Sequence, residues 1–335
     1  MQKLNPHFFD DFNPKQLNSP KRSANQLTPE EMHAVLNGDV SLNGIVKKIK
    51  SGEIKNILVL TGAGISTNAG IPDFRSPETG MYTNPELKQR LKLSPTDAFS
   101  LHGLQHEPQT FYTIVKEIFG PVLLGNYKPT KTHKFIRLLE KKGLLLRNYT
   151  QNIDILENIV GISEDKVVQG HGSFASARCT LCSNVFKTDS LESPFWKTVL
   201  QGGVPTCDKC SDETGKNVVR PDVVLFGEPL PSRFFDLKKT DALKCDLLIV
   251  AGTSLLVYPF AGLPNEVSKT CPRLMFNKTP TGLFSKANQE TILNNTLTAM
   301  PNTDNENYRD VVVLGDIDEG VSKFIQLLGW GEENN

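Results

Sequence analysis

Four cysteines in two Cys-x2-Cys pairs, Cys179/Cys182 and Cys207/Cys210, are the most specific chemical signal in this 335-residue chain. Each pair can present two thiolates to one ion, and two such knuckles complete a tetrahedral zinc set with Zn–S distances of about 2.3 Å. Four sulfur ligands leave no open coordination position. A zinc held there is structural and organises a small, loop-rich module. The competing reading is four unrelated or redox-active thiols. Cys245 and Cys271 stand apart from the pairs, and Cys245, beside an apolar run, reads as a small buried residue.

Gly62-Ala63-Gly64 follows the apolar run Ile57–Leu60, as a phosphate-binding turn does. Position 67 is Thr, so the third glycine of the dinucleotide fingerprint is missing. By itself the turn suits a nucleotide site and a plain structural turn equally well. Its continuation, GAGISTNAGIPDFRS from Gly62 to Ser76, sets Asp73, Phe74 and Arg75 side by side, which a structural loop seldom needs. Gln151, Asn152, Ile153 and Asp154 follow another apolar stretch. Their polar side chains either line a ligand crevice or cap the next helix. His171, in VVQGHG, carries an imidazole suited to taking a proton near neutral pH, although a lone histidine is commonly structural.

These groups need a frame. Short apolar runs recur at Ile57–Leu60, Leu144–Leu146, Val223–Phe226, Leu247–Val250, Leu274–Phe276 and Val311–Leu314. Continuous apolar runs ending in turns are how buried parallel strands read. Helical patterns lie between several of them, at 132–143 and 319–329, so the expectation is an α/β fold with a mainly parallel sheet. Ligands bind beyond the carboxyl ends of such strands. Thr28-Pro29-Glu30-Glu31 reads as a helix start. Residues 280–307 are polar and are expected to form an irregular surface insertion, and 1–27 a loosely attached arm.

Composition is that of an ordinary globular protein, 38% hydrophobic and 22% charged. Lys+Arg and Asp+Glu both number 37, so no global field draws the chain to nucleic acid or an anionic membrane. Leu247–Pro264 is free of charge, but its glycines and prolines indicate a buried strand and loop rather than a membrane span. The N-terminal stretch lacks the apolar core of a secretory signal. The expected location is the cytoplasm, with the nucleus as a second possibility.

In order along the chain, GAGIS (62–66), GIPDFRS (70–76), TQNID (150–154), His171-Gly172, the four cysteines, RPDVVLFGE (220–228), GTSLLVYPFA (252–261) and FNK (276–278) resemble the sirtuin family. The resemblance covers about residues 55–330, and the loops look most like class I, the cytosolic tubulin-deacetylating branch. It implies a Rossmann-like domain (about 45–80, 130–174 and 219–330) binding NAD. A smaller domain is formed by a zinc module (about 175–218) and a helical insertion (about 81–129). The catalytic region is 28–330, with 331–335 a tail. The implied activity is NAD-dependent deacetylation of lysine in acetylated proteins such as histone tails or tubulin, releasing nicotinamide and O-acetyl-ADP-ribose. Longer-chain deacylation and mono-ADP-ribosyl transfer are the alternatives.

By the same resemblance, His171 activates a ribose hydroxyl and Asn152 orders the nicotinamide ribose, while Ile153 and Asp154 help form the nicotinamide pocket. Ala63, Gly64 and Thr67 bind the pyrophosphate side, Phe74 covers the reactive ribose and Arg75, beside Asp73, positions the cofactor. Thr253, Ser254 and Asn277 serve the adenosine side, with Ile317 beneath the adenine, and Gly62, Ile65, Ile71, Asp73, Gln151, Gly252 and Lys278 are implied as further cofactor-binding residues. Val224, Phe226, Gly227 and Glu228, facing Leu255–Val257 with Leu256, resemble the segments between which substrate lies as an added strand. One departure is Thr279, where the branch usually has an acid able to hold both adenosine-ribose hydroxyls. No Tyr-x-x-Arg pair follows GIPDFRS; Met81, Leu93 and Phe99 are apolar instead. The implied preference is acetyl and longer apolar acyl groups over succinyl.

Overall fold

The computed structural model describes residues 26–72, 85, 89, 91–188, 190–210, 217–300 and 306–331. Among these, eleven strands form two sheets: β1 (Ile57–Thr61), β2 (Leu145–Thr150), β3 (Val167–Gln169), β4 (Gly172–Cys179), β5 (Val185–Lys187), β6 (Val219–Val223), β7 (Leu247–Ala251), β8 (Arg273–Asn277), β9 (Asn288–Leu293), β10 (Thr296–Ala299) and β11 (Asp310–Leu314). The helices are α1 (Pro29–Leu36), α2 (Leu42–Lys50), α3 (Pro95–Ala98), α4 (Leu101–His106), α5 (Pro108–Leu123), α6 (Lys131–Lys141), α7 (Leu156–Ile159), α8 (Pro194–Leu200), α9 (Ser232–Lys244) and α10 (Ile317–Leu328).

The large sheet runs β10-β9-β11-β8-β7-β1-β2-β3, parallel throughout except for β10. Its strands read as continuous apolar runs because both faces are covered. Ile57, Val59, Leu247 and Ile249 pack with Leu36, Leu42, Phe135 and Phe324 from α1, α2, α6 and α10. Leu58, Leu60, Leu248 and Val250 face the other way, onto Phe234 of α9 and onto Phe260 and Phe284. The uncharged stretch 247–264 is therefore a buried strand followed by a loop and a 3-10 segment. No described helix is long and apolar enough to cross a membrane.

β1 pairs with β2 on one side and with β7 on the other. Chain order thus diverges between β1 and β7, and a crevice opens beyond their carboxyl ends, where α/β sheets hold ligands. α1 starts at a capping box, in which Glu31 N–H donates to Thr28 Oγ1 and Thr28 N–H to Glu31 Oε2.

The small sheet, β5-β4-β6, is antiparallel. It shares one core with the helices of the 81–129 region: Phe111, Tyr112 and Phe119 of α5 meet Phe174 of β4, Phe195 and Trp196 of α8, and Val219 and Val223 of β6. The buried Tyr112 hydroxyl donates to the Val219 carbonyl and Trp196 Nε1 to the Thr188 carbonyl at 2.8 Å. The small sheet runs slightly past 175–218 at both ends.

Two local expectations are corrected. Val223–Phe226 is not a strand of the parallel sheet: β6 ends at Val223 in the small sheet, and the next residues form a loop whose Phe226 bridges to Ser100. Residues 280–307 are not wholly irregular. β9 adds a parallel strand beside β11, and β10 folds back on it through Asn294 and Asn295, both left-handed (φ 49 and 61). Asn tolerates that conformation, and two such residues make the hairpin turn whose twist suits the strands. Ile292 and Leu297 pack against the core, so the segment buries more than its polar composition suggests.

Candidate active site

The tips of β1 and β7 approach so closely that only glycine fits. Gly64 N–H donates to the Gly252 carbonyl at 2.9 Å. A Cβ at Gly252 (φ +64) would lie 2.5 Å from Ile65 N, and one at Gly64 would lie 2.7 Å from Gly252 Cα. Ala63–Ile65 and Thr67–Ala69 continue as two 3-10 turns rather than the α-helix of a dinucleotide fold.

Beyond these tips lies a cavity of about 660 Å³, within the size range of small-molecule sites. Its walls include Ala63, Gly64, Thr67, Gln151, Asn152, Ile153, His171, Val224, Phe226, Gly227, Glu228, Gly252, Thr253, Ser254, Leu256, Asn277, Lys278 and Ile317. Gly62 and Ile65 are at its margin, Ile65 buried and its carbonyl accepting from Thr130 Oγ1 at 2.9 Å. Ile71 packs instead with Val122 and Leu156, and Asp154 lies behind the wall. Asp73, Phe74, Arg75 and Met81 lie outside the described residues. Leu230, Phe235, Tyr258, Pro259 and Thr281 also line the cavity; sequence reasoning gave them no role, and no spacing or period marked them.

His171 follows β3. Its Nδ1 lies 2.9 Å from the Gln151 carbonyl, an acceptor only, so Nδ1 carries the proton and Nε2 keeps its lone pair. Burial lowers its pKa below the usual histidine value, against an opposing pull from the Gln151 carbonyl. The ring is therefore a neutral base at neutral pH.

Beside it, Asn152 Nδ2 donates to the Gly62 carbonyl and to Ser66 Oγ, both at 3.2 Å. Ser66 Oγ donates to Asp154 Oδ2 at 2.6 Å, and Asp154 Oδ1 accepts from Leu156 N–H at 3.0 Å. Asp154 thus ties Ser66 to the first N–H of α7, although the N-cap position itself is Ile155, which makes no side-chain cap bond. Gln151, Asn152 and Ile153 line the crevice, while Asp154 supports the helix start behind it.

On the far side, Thr253 Oγ1 donates to Gln151 Oε1 at 2.9 Å and accepts from Leu255 N–H at 3.1 Å. Asn277 Nδ2 donates to the carbonyls of Thr253 (3.2 Å) and Thr279 (2.9 Å). These side chains shape the loops. Ser254, Asn277 and Ile317 line the cavity, while the N-terminus of α10 is capped by Asp316, whose Oδ1 accepts from Glu319 N–H at 3.0 Å. A glycine turn with polar side chains beside it suits the phosphates and hydroxyls of a dinucleotide.

The 224–228 loop is fixed by Glu228. Its carboxylate receives Arg220 Nη1 and Nη2 at 2.6 and 2.8 Å, and Leu225 N–H at 2.9 Å. Its charge is thereby matched within the chain. Phe226 (43% exposed) and Leu256 (68% exposed) stand open on either side of the cleft.

The four paired cysteines meet at one point, with all four sulfurs within 4.8 Å of one another. Cys179–Cys210 and Cys182–Cys207 are separated by 3.6 and 3.7 Å. Tetrahedral Zn–S geometry requires S···S near about 3.8 Å. Backbone amides of Leu181 and Cys182 point at Cys179 Sγ and that of Lys209 at Cys207 Sγ, as around thiolate ligands. The residues fit a structural zinc.

A family model described as the Sir2 family matches residues 62–259. The chain is 40% identical over 293 residues to the NAD-dependent protein deacetylase hst2 of Schizosaccharomyces pombe, covering 87% of this chain and 77% of that protein. It is 39% identical over 304 residues to the NAD-dependent protein deacetylase sirtuin-2 of Danio rerio, covering 88% and 74%. With the NAD-dependent deacetylase sir2A of Dictyostelium discoideum it shares 43% identity over 302 residues, 88% of this chain and 53% of that protein, so it spans about half that relative's length. With its parallel sheet, glycine-tipped crevice and four-cysteine cluster, the chain belongs to the Sir2, or sirtuin, family.

Proposed function

We propose that this protein is an NAD-dependent protein lysine deacetylase, transferring the acetyl group of acetyl-lysine to ADP-ribose. The observation that carries this reading is the neutral His171, its proton held on Nδ1 by Gln151 in a cavity that also holds Asn152 and the Gly62–Gly64 turn. Relatives named NAD-dependent protein deacetylases, aligned over most of the chain, support it.

Bound NAD supplies an electrophilic ribose carbon bearing nicotinamide as leaving group. Ala63, Gly64 and Thr67 hold the pyrophosphate side, and Ser254 and Asn277 the adenosine ribose, with Lys278 and Ile317 nearby. Asn152 and Ile153 bound the nicotinamide end, and Asp154 acts there through Ser66. Asp73, Phe74 and Arg75 take the roles of covering and positioning the reactive ribose. His171 Nε2 accepts the proton of a ribose hydroxyl, which turns that oxygen into the nucleophile that takes over the acyl group. The acetylated chain lies between Val224–Glu228 and Leu255–Val257 as an added strand, where backbone pairing gives affinity with little sequence selectivity. Histone tails and tubulin are the substrates favoured within that class. The zinc-bearing module and the helices of 81–129 form a smaller domain whose role is to present one wall of the cleft.

A second reading, removal of longer apolar acyl groups, draws on Leu230, Phe235, Leu256 and Tyr258 along the same cavity. Six free thiols, four of them grouped as metal ligands, suit a reducing compartment, and the cytoplasm is the proposed location, with the nucleus second.

The test is incubation with acetyl-, myristoyl- and succinyl-lysine peptides, with and without NAD. NAD-dependent loss of acetyl or myristoyl, one nicotinamide per turnover, and little desuccinylation support the reading. NAD consumption with the peptide left acylated and the protein ADP-ribosylated would sink it.

A further inference from the structure

Behind the nicotinamide end lies a cluster that the chemistry above does not use. Glu157 in the first turn of α7, His133 of α6 and Asp154 place their ligand atoms within 4.8 Å of one another, all buried. Neither carboxyl oxygen of Glu157 makes a hydrogen bond of normal geometry, and His133 Nε2 makes none, although the Thr150 hydroxyl and Glu157's own backbone N–H lie close enough to favour the carboxylate form weakly. His133 Nδ1 accepts from Thr130 N–H at 3.3 Å and lies 2.8 Å from Thr130 Oγ1, so the neutral ring carries its proton on Nε2. Asp154, by contrast, is fully engaged by Ser66 and Leu156. No Lys or Arg is among the groups acting on Glu157: these are Asp154 from the same loop, His133 from α6, the Thr150 hydroxyl of β2 and Glu157's own backbone N–H.

An ionised carboxylate with no cation beside it at a fully buried site is costly, and a second carboxylate beside it adds repulsion. We propose that Glu157 is a positioning residue that stands as a neutral acid behind the cleft, leaving Asp154 as the single carboxylate that holds Ser66 and, through Ser66, Asn152. Protonated, Glu157 becomes a donor whose acceptor within reach is Asp154. Burial first, and then Asp154, raise its pKa to about 8, the Thr150 hydroxyl opposing. Burial lowers that of His133 to about 4, so the imidazole offers no balancing charge. When Glu157 loses its proton, two carboxylates face each other, Asp154 is displaced and Ser66 releases Asn152.

The positioning role rests on the deacetylase reading; the neutral acid does not, and two measurements separate them. The first is kcat against pH for wild type, Glu157→Gln and Glu157→Ala. Glutamine copies the protonated acid in shape and donor capacity. It is expected to retain at least about a third of kcat at pH 7.5 and to lose the wild-type decline above about pH 8, while alanine loses at least about tenfold. A glutamine variant as impaired as alanine, or one with an unchanged alkaline decline, overturns the positioning role. The second is melting temperature against pH for wild type and Glu157→Gln, which needs no turnover. An acid raised in the folded state loses stability between its unfolded value and its folded one. The glutamine variant's advantage over wild type should therefore grow from about pH 5 to about pH 8 and then level off. A constant difference overturns the neutral acid. The expected melting curves with a wild type that never deacetylates would refute the function, and with it the positioning role, while the neutral acid stands.

Discussion

The Gln151 carbonyl lies 2.9 Å from His171 Nδ1, and this contact decides which ring nitrogen serves the cleft. Because β1 and β2 pair in parallel and Gln151 N–H donates to the Thr61 carbonyl at 3.0 Å, the acceptor is fixed by the sheet itself. Replacing His171 with Ala is expected to lower kcat by about 10²–10⁴-fold, the range of a lost general base. Steady-state kinetics with NAD in excess measures it.

The same residue sets the acid limb of the pH profile. Burial depresses its pKa, so the basic form persists below the ordinary histidine value of about 6.5 and is lost only as pH falls through the lower, folded value. The acid limb of kcat/KM should therefore fall below about pH 6.5. An acid limb above it would show a charged partner beside the ring.

Gly252→Ala should be far more damaging than Gly227→Ala. Both residues have positive φ, but the added Cβ meets Ile65 N at 2.5 Å at position 252 and nothing within 4 Å at 227. The first substitution combines clash with strain and is expected to cost about 3 kcal/mol or more; the second carries strain alone, about 1–2 kcal/mol. Chemical denaturation compares them, and NAD affinity should fall only for Gly252→Ala.

Metal removal should act through packing. Cys179 and Cys207 belong to the same core as Trp196 and Phe174, so losing the ion releases that core. One zinc per chain is expected by elemental analysis. Chelation, or Cys182→Ser, should abolish deacetylation and expose Trp196, read as a red shift in fluorescence.

Arg220→Ala leaves the Glu228 carboxylate without its bidentate partner and frees the 224–228 loop. Peptide KM should rise about tenfold or more while NAD affinity holds, with a stability cost of about 1–3 kcal/mol. An unchanged KM would remove this loop from the substrate site.

The strands that frame the crevice were legible because β1, β7 and β11 are buried on both faces and carry unbroken apolar runs, Ile57–Leu60, Leu247–Ala251 and Val311–Leu314. The cysteine knuckles were legible because metal geometry fixes their spacing. Other features were not, for physical reasons. β9 and β10 carry polar side chains on an edge, and their signal, Asn294-Asn295, lay in backbone conformation rather than hydrophobicity. Val223–Phe226 is apolar because it packs into the small domain and borders the cleft, a burial that composition does not distinguish from a central strand. That Thr253 is held by Gln151 across 102 positions, and that Glu228 is matched by Arg220, are tertiary facts with no periodic trace.

The most direct measurement follows the acyl group itself. Incubating the protein with NAD and a peptide carrying a ¹³C-labelled acetyl-lysine, then resolving the products by mass spectrometry, should place the label on ADP-ribose, with free lysine in the peptide and no transfer by His171→Ala. Label released as acetate without ever appearing on ADP-ribose, or transfer that survives loss of His171, would contradict the assignment.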